Sequence, residues 1–172
     1  MRRPSSPDRS TSDAKTVEAA AVRLLSGREH SIEELRRKLV RKGYPPETIE
    51  PVIQKLAGKR LVSDERFTAS FVHHHAKRGQ GPVRIRAALR QQGIADSQVE
   101  EALRRAEVDW VQLAREVRRR KFGAASPRSL GERAKQARFL QYRGFDAEQL
   151  RAAFRDESGD GEDAPDITPD IF

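Results

Sequence analysis

A glycine-centred motif occurs three times along the 172 residues, and it constrains the fold more strongly than any other sequence feature. The three glycines are Gly43, Gly93 and Gly144, spaced 50 and then 51 residues apart. A leucine stands four residues before each glycine, a large apolar residue follows it directly, and further apolar residues stand six and ten positions after it. Self-similarity at a fixed period is typical of repeat proteins, whose units bury their apolar faces against one another.

Each unit predicts helices on both sides of its glycine. A glycine after an apolar-periodic run supplies the left-handed conformation that commonly ends a helix, and the apolar residue after it packs back on that helix. The next helix is opened in turn by Pro46, Asp96 and Asp146, and the last of these has the spacing of a capping box with Gln149. Ser31 and Glu34 share that spacing before the first middle helix.

A further helix precedes each pair, because apolar residues recur at helical spacing over 17–25, 64–77 and 109–122. No stretch alternates as a strand would. We therefore predict an all-α fold: a tandem array of three three-helix repeats, elongated and curved. The predicted core residues are Leu35, Leu39, Leu89, Leu140, Phe145 and Phe154.

The predicted repeats cover residues 17–62, 63–108 and 109–154. A basic segment, 1–16, precedes them and an acidic tail, 155–172, follows them, and we predict that both are disordered. Pro51 predicts a kink in its helix or a later helix start. Gln136 stands where the other repeats have Leu35 and Ile85, which predicts a different angle for the third repeat.

Charge is distributed unevenly along the chain, which has 34 Lys and Arg against 26 Asp and Glu, a net charge of +8 and a pI of about 10.3. The tail carries −6, which leaves +14 on residues 1–154. A basic body with an acidic tail indicates polyanion binding or an electrostatically guided protein partner. A solvated arginine-rich surface is the alternative, and one hypothesis for the tail is that it screens the basic body until a partner displaces it.

Several classes of function are not expected. The chain has no Cys, so disulfides and thiolate zinc sites are excluded. His73, His74 and His75 are consecutive on a helix and point about 100° apart, so we expect no metal site, and His30 is expected to be a solvated helix-end residue. No nucleophile motif or other cofactor motif is present, and we predict a protein that is not an enzyme and needs no cofactor. No secretory signal or membrane-spanning stretch is found, which predicts a cytoplasmic protein without membrane contact.

Two basic clusters are the candidate contact surfaces. The first surrounds the glycine-rich segment 78–82, which lacks the ending of a phosphate loop and is predicted to be a hinge between helices. The second lies on one helical turn, where like charges are retained more readily when an anion neutralises them. The candidate residues for contact with a partner or DNA are Lys77, Arg78, Arg84, Arg86, Arg90, Arg118, Arg119, Arg120 and Lys121.

Several short motifs resemble the RecX family of recombination regulators, over about residues 17–154. They are the stretch from Glu34 to Tyr44, Asp64-Glu65-Arg66-Phe67, Arg78-Gly79-Gln80-Gly81-Pro82 with Arg84-Ile85, and Arg143-Gly144-Phe145. The resemblance implies three-helix repeats and a partner, the RecA recombinase polymerised on single-stranded DNA. It also implies a negative modulator that binds in the filament groove and limits filament growth, ATP hydrolysis, strand exchange and SOS coprotease activity. We expect the protein to be a monomer. Weak non-specific DNA binding is expected as well.

The alternative is a regulator that binds DNA directly through helix–turn–helix pairs. A recognition helix presents polar and basic residues to the major groove. The helices after Gly43 and Gly93 instead carry Glu47, Glu50, Glu100 and Glu101, which disfavours this hypothesis.

Overall fold

The computed structural model describes residues 13–155, and within this range the chain forms nine α-helices and no strand. The helices are α1 (Ala14–Gly27), α2 (Ile32–Arg41), α3 (Pro46–Gly58), α4 (Asp64–Lys77), α5 (Pro82–Gln91), α6 (Asp96–Arg105), α7 (Trp110–Phe122), α8 (Leu130–Tyr142) and α9 (Ala147–Ala153). Most of the predicted terminal segments 1–16 and 155–172 lie outside the described residues.

The nine helices form three consecutive groups of three, so the prediction of an all-α tandem array is confirmed. Helices α1–α3, α4–α6 and α7–α9 pack mainly within their own group. Each of these three repeats has its own core, centred on Leu35 and Leu39, on Ile85 and Leu89, and on Leu140. Five of the six predicted core residues are fully buried, and the sixth, Phe154, packs half-buried against the third core.

The three glycines end the middle helices α2, α5 and α8 in the predicted way. Gly43, Gly93 and Gly144 have φ values of 86°, 78° and 91°, in the left-handed region. In each turn the amide after the glycine donates to the carbonyl of the leucine four residues before the glycine, at 3.2–3.3 Å. This arrangement satisfies the carbonyls at the helix end.

The helix starts follow the predictions with two differences. Asp146 and Gln149 form the predicted capping box, whereas the Ser31 side chain caps α2 but the carboxylate of Glu34 pairs with Arg28 and His30 instead. Helix α3 begins at Pro46 and continues through Pro51, so the later start that Pro51 predicted is wrong. Pro51 is exposed, near the start of the helix.

The repeats meet at the glycine turns. At the second junction the amide of Gly81, which caps α5, donates to the carbonyl of Arg143 at 2.8 Å, and the amide of Val83 donates to the carbonyl of Gly144 at 3.0 Å. A Cβ at Gly81 would lie 2.5 Å from the amide nitrogen of Phe145, so only glycine allows this approach.

The first junction repeats this arrangement one unit earlier. Ser31 caps α2 as Gly81 caps α5, and its hydroxyl donates to the carbonyl of Gln92 at 2.8 Å. A Cβ at Gly93 would lie 2.7 Å from the Cβ of Glu33. The starts of α2 and α5 therefore contact the glycine turns of the repeats that follow them, which places α2, α5 and α8 head to tail.

His30 lies beside the first junction and is only 2 % exposed, so the expectation of a solvated histidine is wrong. Its Nδ1 lies 2.9 Å from a carboxylate oxygen of Glu34. Burial raises the pKa of Glu34, but hydrogen bonds from Arg28 and His30 outweigh it and lower the pKa to about 2.

Candidate functional site

The first basic cluster lies at the second junction, where the segment between α4 and α5 packs against the third repeat. The Arg84 guanidinium donates to the carbonyl of Tyr142 at 3.2 Å and lies over its ring, 5.4 Å from the centroid. The carbonyl of Arg78 accepts a hydrogen bond from Arg143 at 3.0 Å. Two residues of this cluster therefore help to fix one repeat against the next.

Arg86 and Arg90 pair with acids of the following helix. Arg86 forms a two-pronged contact with Glu100 at 2.6 and 3.0 Å, and Arg90 contacts Asp96 at 2.6 Å. The hydrogen bond from Arg86 lowers the pKa of Glu100. Because these two charges are already neutralised within the repeat, a polyanion gains less from them than from an unpaired cation.

Lys77 and Arg78 remain exposed at the end of α4, and within residues 13–155 their side chains form no hydrogen bond or ion pair. His75 lies one turn earlier, stacked on Phe71 with the ring centroids 3.9 Å apart. Burial lowers the pKa of His75, a hydrogen bond with Gln80 opposes this, and nearby positive charges including Arg78 lower it further. His75 is therefore neutral near pH 7, and the positive charge here belongs to Lys77 and Arg78.

The second basic cluster is divided by the fold. Arg119, Arg120 and Lys121 are exposed on the last turn of α7, whereas Arg118 is only 5 % exposed. Its guanidinium lies over the ring of Phe154 and donates to the buried side chain of Gln136 at 3.4 Å. Of the four residues predicted to form one contact surface, three are therefore exposed and Arg118 is buried.

Gln136 explains the inward position of Arg118. An apolar residue at that position of α8 could not accept this hydrogen bond, and the loss of a hydrogen bond to a buried guanidinium is costly. The sequence contains this signal, since Gln136 replaces the apolar residue of the other repeats, but it predicted only a change of packing angle. The spacing of residues along the chain did not identify Gln136 as the hydrogen-bond partner of Arg118.

The third repeat also carries exposed cations that the sequence prediction did not single out. Lys135 and Arg138 stand one turn apart on α8, and like Arg119, Arg120 and Lys121 they form no ion pair with the carboxylates of residues 13–155. We call these five residues the third-repeat basic surface. Their helical spacing on α8 was the available signal, but dispersed cations are less conspicuous than a run.

Two other kinds of site are absent from residues 13–155. No group of three or more His, Asp or Glu in that range could hold a metal ion. No helix in it is long and apolar enough to cross a membrane.

Comparison with family models gives three consecutive matches. They are described as the first, second and third three-helix domains of RecX, and they match residues 19–56, 63–103 and 107–154. Each match contains one of the three glycine turns.

Individual relatives give the same result over most of the chain. A protein from Halorhodospira halophila called "Regulatory protein RecX" is 47 % identical over 152 residues, which are 88 % of this chain and 94 % of that protein. A protein of the same name from Pseudomonas savastanoi pv. phaseolicola is 41 % identical over 84 % of this chain and 93 % of its own length.

Solved structures share the fold. A crystal structure of regulatory protein RecX superposes with a TM-score of 0.70 at 25 % identity, covering 80 % of this chain and 71 % of that one. The crystal structure of RecX from Lactobacillus salivarius superposes with a TM-score of 0.70 at 23 % identity, over 81 % of this chain and 93 % of its own.

Proposed function

The chain belongs to the RecX family, and on that premise we propose that it is a negative modulator of RecA. In this proposal it binds in the groove of the RecA filament on single-stranded DNA. It limits filament growth, ATP hydrolysis, strand exchange and SOS coprotease activity. The observation that carries the proposal is the match of all three repeats to RecX domains, together with relatives named regulatory proteins.

The architecture is suited to contact with several subunits of a polymer. Helices α2 and α5 each start on the glycine turn of the next repeat, so the first junction is joined by the hydrogen bond from the Ser31 hydroxyl and the second by two backbone hydrogen bonds. An array linked in this way presents successive surfaces at a defined spacing. By bridging neighbouring subunits, such an array would oppose the subunit rearrangements that accompany ATP hydrolysis and filament growth.

The charge distribution gives the two candidate surfaces different roles. In the proposal the third-repeat basic surface contacts DNA phosphate, because its cations lack carboxylate partners among residues 13–155. Lys77 and Arg78 form a smaller contact. Arg84, Arg86 and Arg90 act mainly by holding the second repeat in shape, since their side chains are engaged by Tyr142, Glu100 and Asp96.

The proposal is tested by the rate of RecA ATP hydrolysis on single-stranded DNA, titrated with this protein from well below to near an equimolar ratio. We expect inhibition below equimolar ratio, which indicates action at growing ends or across several subunits. Inhibition that appears only when the protein can coat the DNA would instead indicate competition for phosphate. An unchanged hydrolysis rate at every ratio would refute the proposal.

Charge-reversal variants measured in the same assay distinguish the contribution of the third-repeat basic surface from that of overall charge. R119E/R120E removes two exposed cations, and R41E/K42E is the matched control because both of its residues are also exposed at the end of a helix. We expect weaker inhibition from the first variant only. Equal loss from both variants would show that overall charge, and not the third repeat, determines binding.

A further inference from the structure

The third repeat and the segment that follows it carry opposite charges of equal size. Residues 109–155 contain twelve Lys and Arg against five Asp and Glu, whereas residues 156–172 contain seven Asp and Glu and no Lys or Arg. We propose that the acidic segment 156–172 binds the third-repeat basic surface of its own chain and competes there with nucleic-acid phosphate. This inference concerns the chain alone and does not depend on RecA being the partner.

The first two repeats neutralise many of their cations with their own acids, whereas the third-repeat basic surface is not neutralised in this way by residues 13–155. In the first two repeats, most basic side chains of the middle helices α2 and α5 have acidic partners, as in the pairs Arg36–Glu50 and Arg86–Glu100, although Arg41 and Arg84 form no ion pair within residues 13–155. The five cations of the third-repeat basic surface have no such partner within residues 13–155. The acidic segment is the part of this chain that contains enough carboxylates to supply them.

The acidic segment starts beside the surface that we assign to it. Arg115 of α7 donates to the carbonyl of Ala152 at 3.2 Å, which joins the last turn of α9 to α7. The ring of Phe154 lies under the guanidinium groups of Arg118 and Arg133, with centroid distances of 5.3 and 5.5 Å. The described part of the chain therefore ends close to several cations, and the acidic segment continues from that point.

The acidic segment is long enough to contact the whole third-repeat basic surface. Arg119 to Lys121 lie about 6–9 Å along α7 from Arg115, at about 1.5 Å per residue. Seventeen extended residues span up to about 55 Å. The segment can therefore cover the end of α7 and Lys135 and Arg138 on α8 without displacing α9.

A cavity of about 320 Å³ between the end of α7 and the start of α8 suits the composition of the same segment. Its lining combines the apolar side chains of Phe122 and Pro127 with two cations, Arg128 and Lys135, and one acid, Glu132. The segment likewise combines apolar and acidic side chains, including Asp166, Ile167, Asp170, Ile171 and Phe172. Apolar groups of the segment that enter the cavity would place neighbouring carboxylates next to Arg128 and Lys135. A match of both apolar and charged groups is more specific than a match of net charge alone.

Competition between the acidic segment and nucleic acid should lower the affinity for single-stranded DNA by a measurable factor. A segment on a short flexible tether has an effective concentration in the millimolar range. If the effective concentration is about 1 mM and the intrinsic dissociation constant is about 0.1 mM, the surface is about nine-tenths covered, and affinity for single-stranded DNA falls about 10-fold. The effect should vanish near 1 M salt, where the Debye length is about 3 Å.

Zero-length carbodiimide cross-linking of the full chain at low salt tests the placement directly, since it joins carboxylates to nearby lysine amines. We expect cross-links from residues 156–172 to Lys121 and Lys135 of the third repeat, and few to the exposed Lys42 and Lys59 of the first. Cross-links spread equally over both repeats would overturn the inference. So would the absence of cross-links to Lys121 and Lys135.

Affinity for labelled oligo-dT tests the competition. One variant ends at Arg155, and a second keeps the full length with its seven acids changed to Asn or Gln, which controls for effects of truncation. We expect both to bind about 10-fold more tightly than the full chain at low salt. Unchanged affinity would refute the competition, and unchanged RecA inhibition in that case would leave the proposed function standing.

Discussion

Gly81→Ser is the most informative single perturbation of this architecture, because it adds one hydroxymethyl group where two repeats touch. The φ value of Gly81 is −83°, which serine adopts without strain, and serine is as good a helix N-cap as glycine or better. Conformational and capping effects therefore do not explain a loss of stability. What changes is the space next to the backbone of Gly144 and Phe145.

The expected loss follows from the contacts at this junction. A side chain at position 81 forces α5 away from the turn after α8, which breaks the hydrogen bonds from the amides of Gly81 and Val83. Two backbone hydrogen bonds contribute about 1 kcal/mol each, and overpacking costs about 1–3 kcal/mol. We therefore expect the free energy of unfolding to fall by about 2–4 kcal/mol, with some of the overpacking relieved by the movement.

Urea unfolding followed by Trp110 fluorescence measures this loss. Trp110 begins α7 in the third repeat but packs against the core of the second, so its emission reports on the packing between these two repeats. The control is Gly131→Ala in α8, where a Cβ finds only the Ser129 hydroxyl at 3.8 Å and helix propensity improves. A Gly81→Ser variant as stable as the parent protein would refute the head-to-tail junction.

Three further predictions concern stability and charge. Gly93→Ala should cost about 1–2 kcal/mol more than Gly43→Ala in urea unfolding, because both glycines have positive φ but only Gly93 faces a neighbouring repeat; equal losses would contradict this. Because the folded pKa of Glu34 is about 2, below its unfolded value, its contribution of about 2 kcal/mol should be complete above about pH 5 and lost as pH falls towards 2. The difference in stability between the parent and Glu34→Gln should shrink over that range, and a constant difference would argue against the pairing. Arg118→Glu should cost about 3–5 kcal/mol because the charge is buried, whereas R119E/R120E should leave circular dichroism and stability nearly unchanged.

The sequence predicted the helices and their turns well because each depends on local chemistry. A glycine after an apolar helix face, or Asp146 three residues before Gln149, is sufficient to fix a cap whatever the distant chain does. Three copies of the pattern then gave the number of repeats. Helix α4 was predicted at 64–77 and lies at those residues.

The sequence could not predict how side chains are used between elements. Arg118 belongs to a basic run that looks uniformly exposed, and its burial depends on Gln136 of α8 and on Phe154, which directly follows α9. The glycine-rich segment was predicted as a hinge, yet Gly81 lies in close contact with a turn more than sixty residues away. Spacing along the chain carries no information on such contacts, and the charge of a residue does not reveal whether a partner already neutralises it.

The most direct test of the account is a cryo-electron microscopy reconstruction of RecA filaments on single-stranded DNA, assembled with saturating amounts of this protein. We expect additional helical density in the filament groove, spanning neighbouring subunits, with the third-repeat basic surface facing the DNA. Filaments with an empty groove under saturating conditions would contradict it.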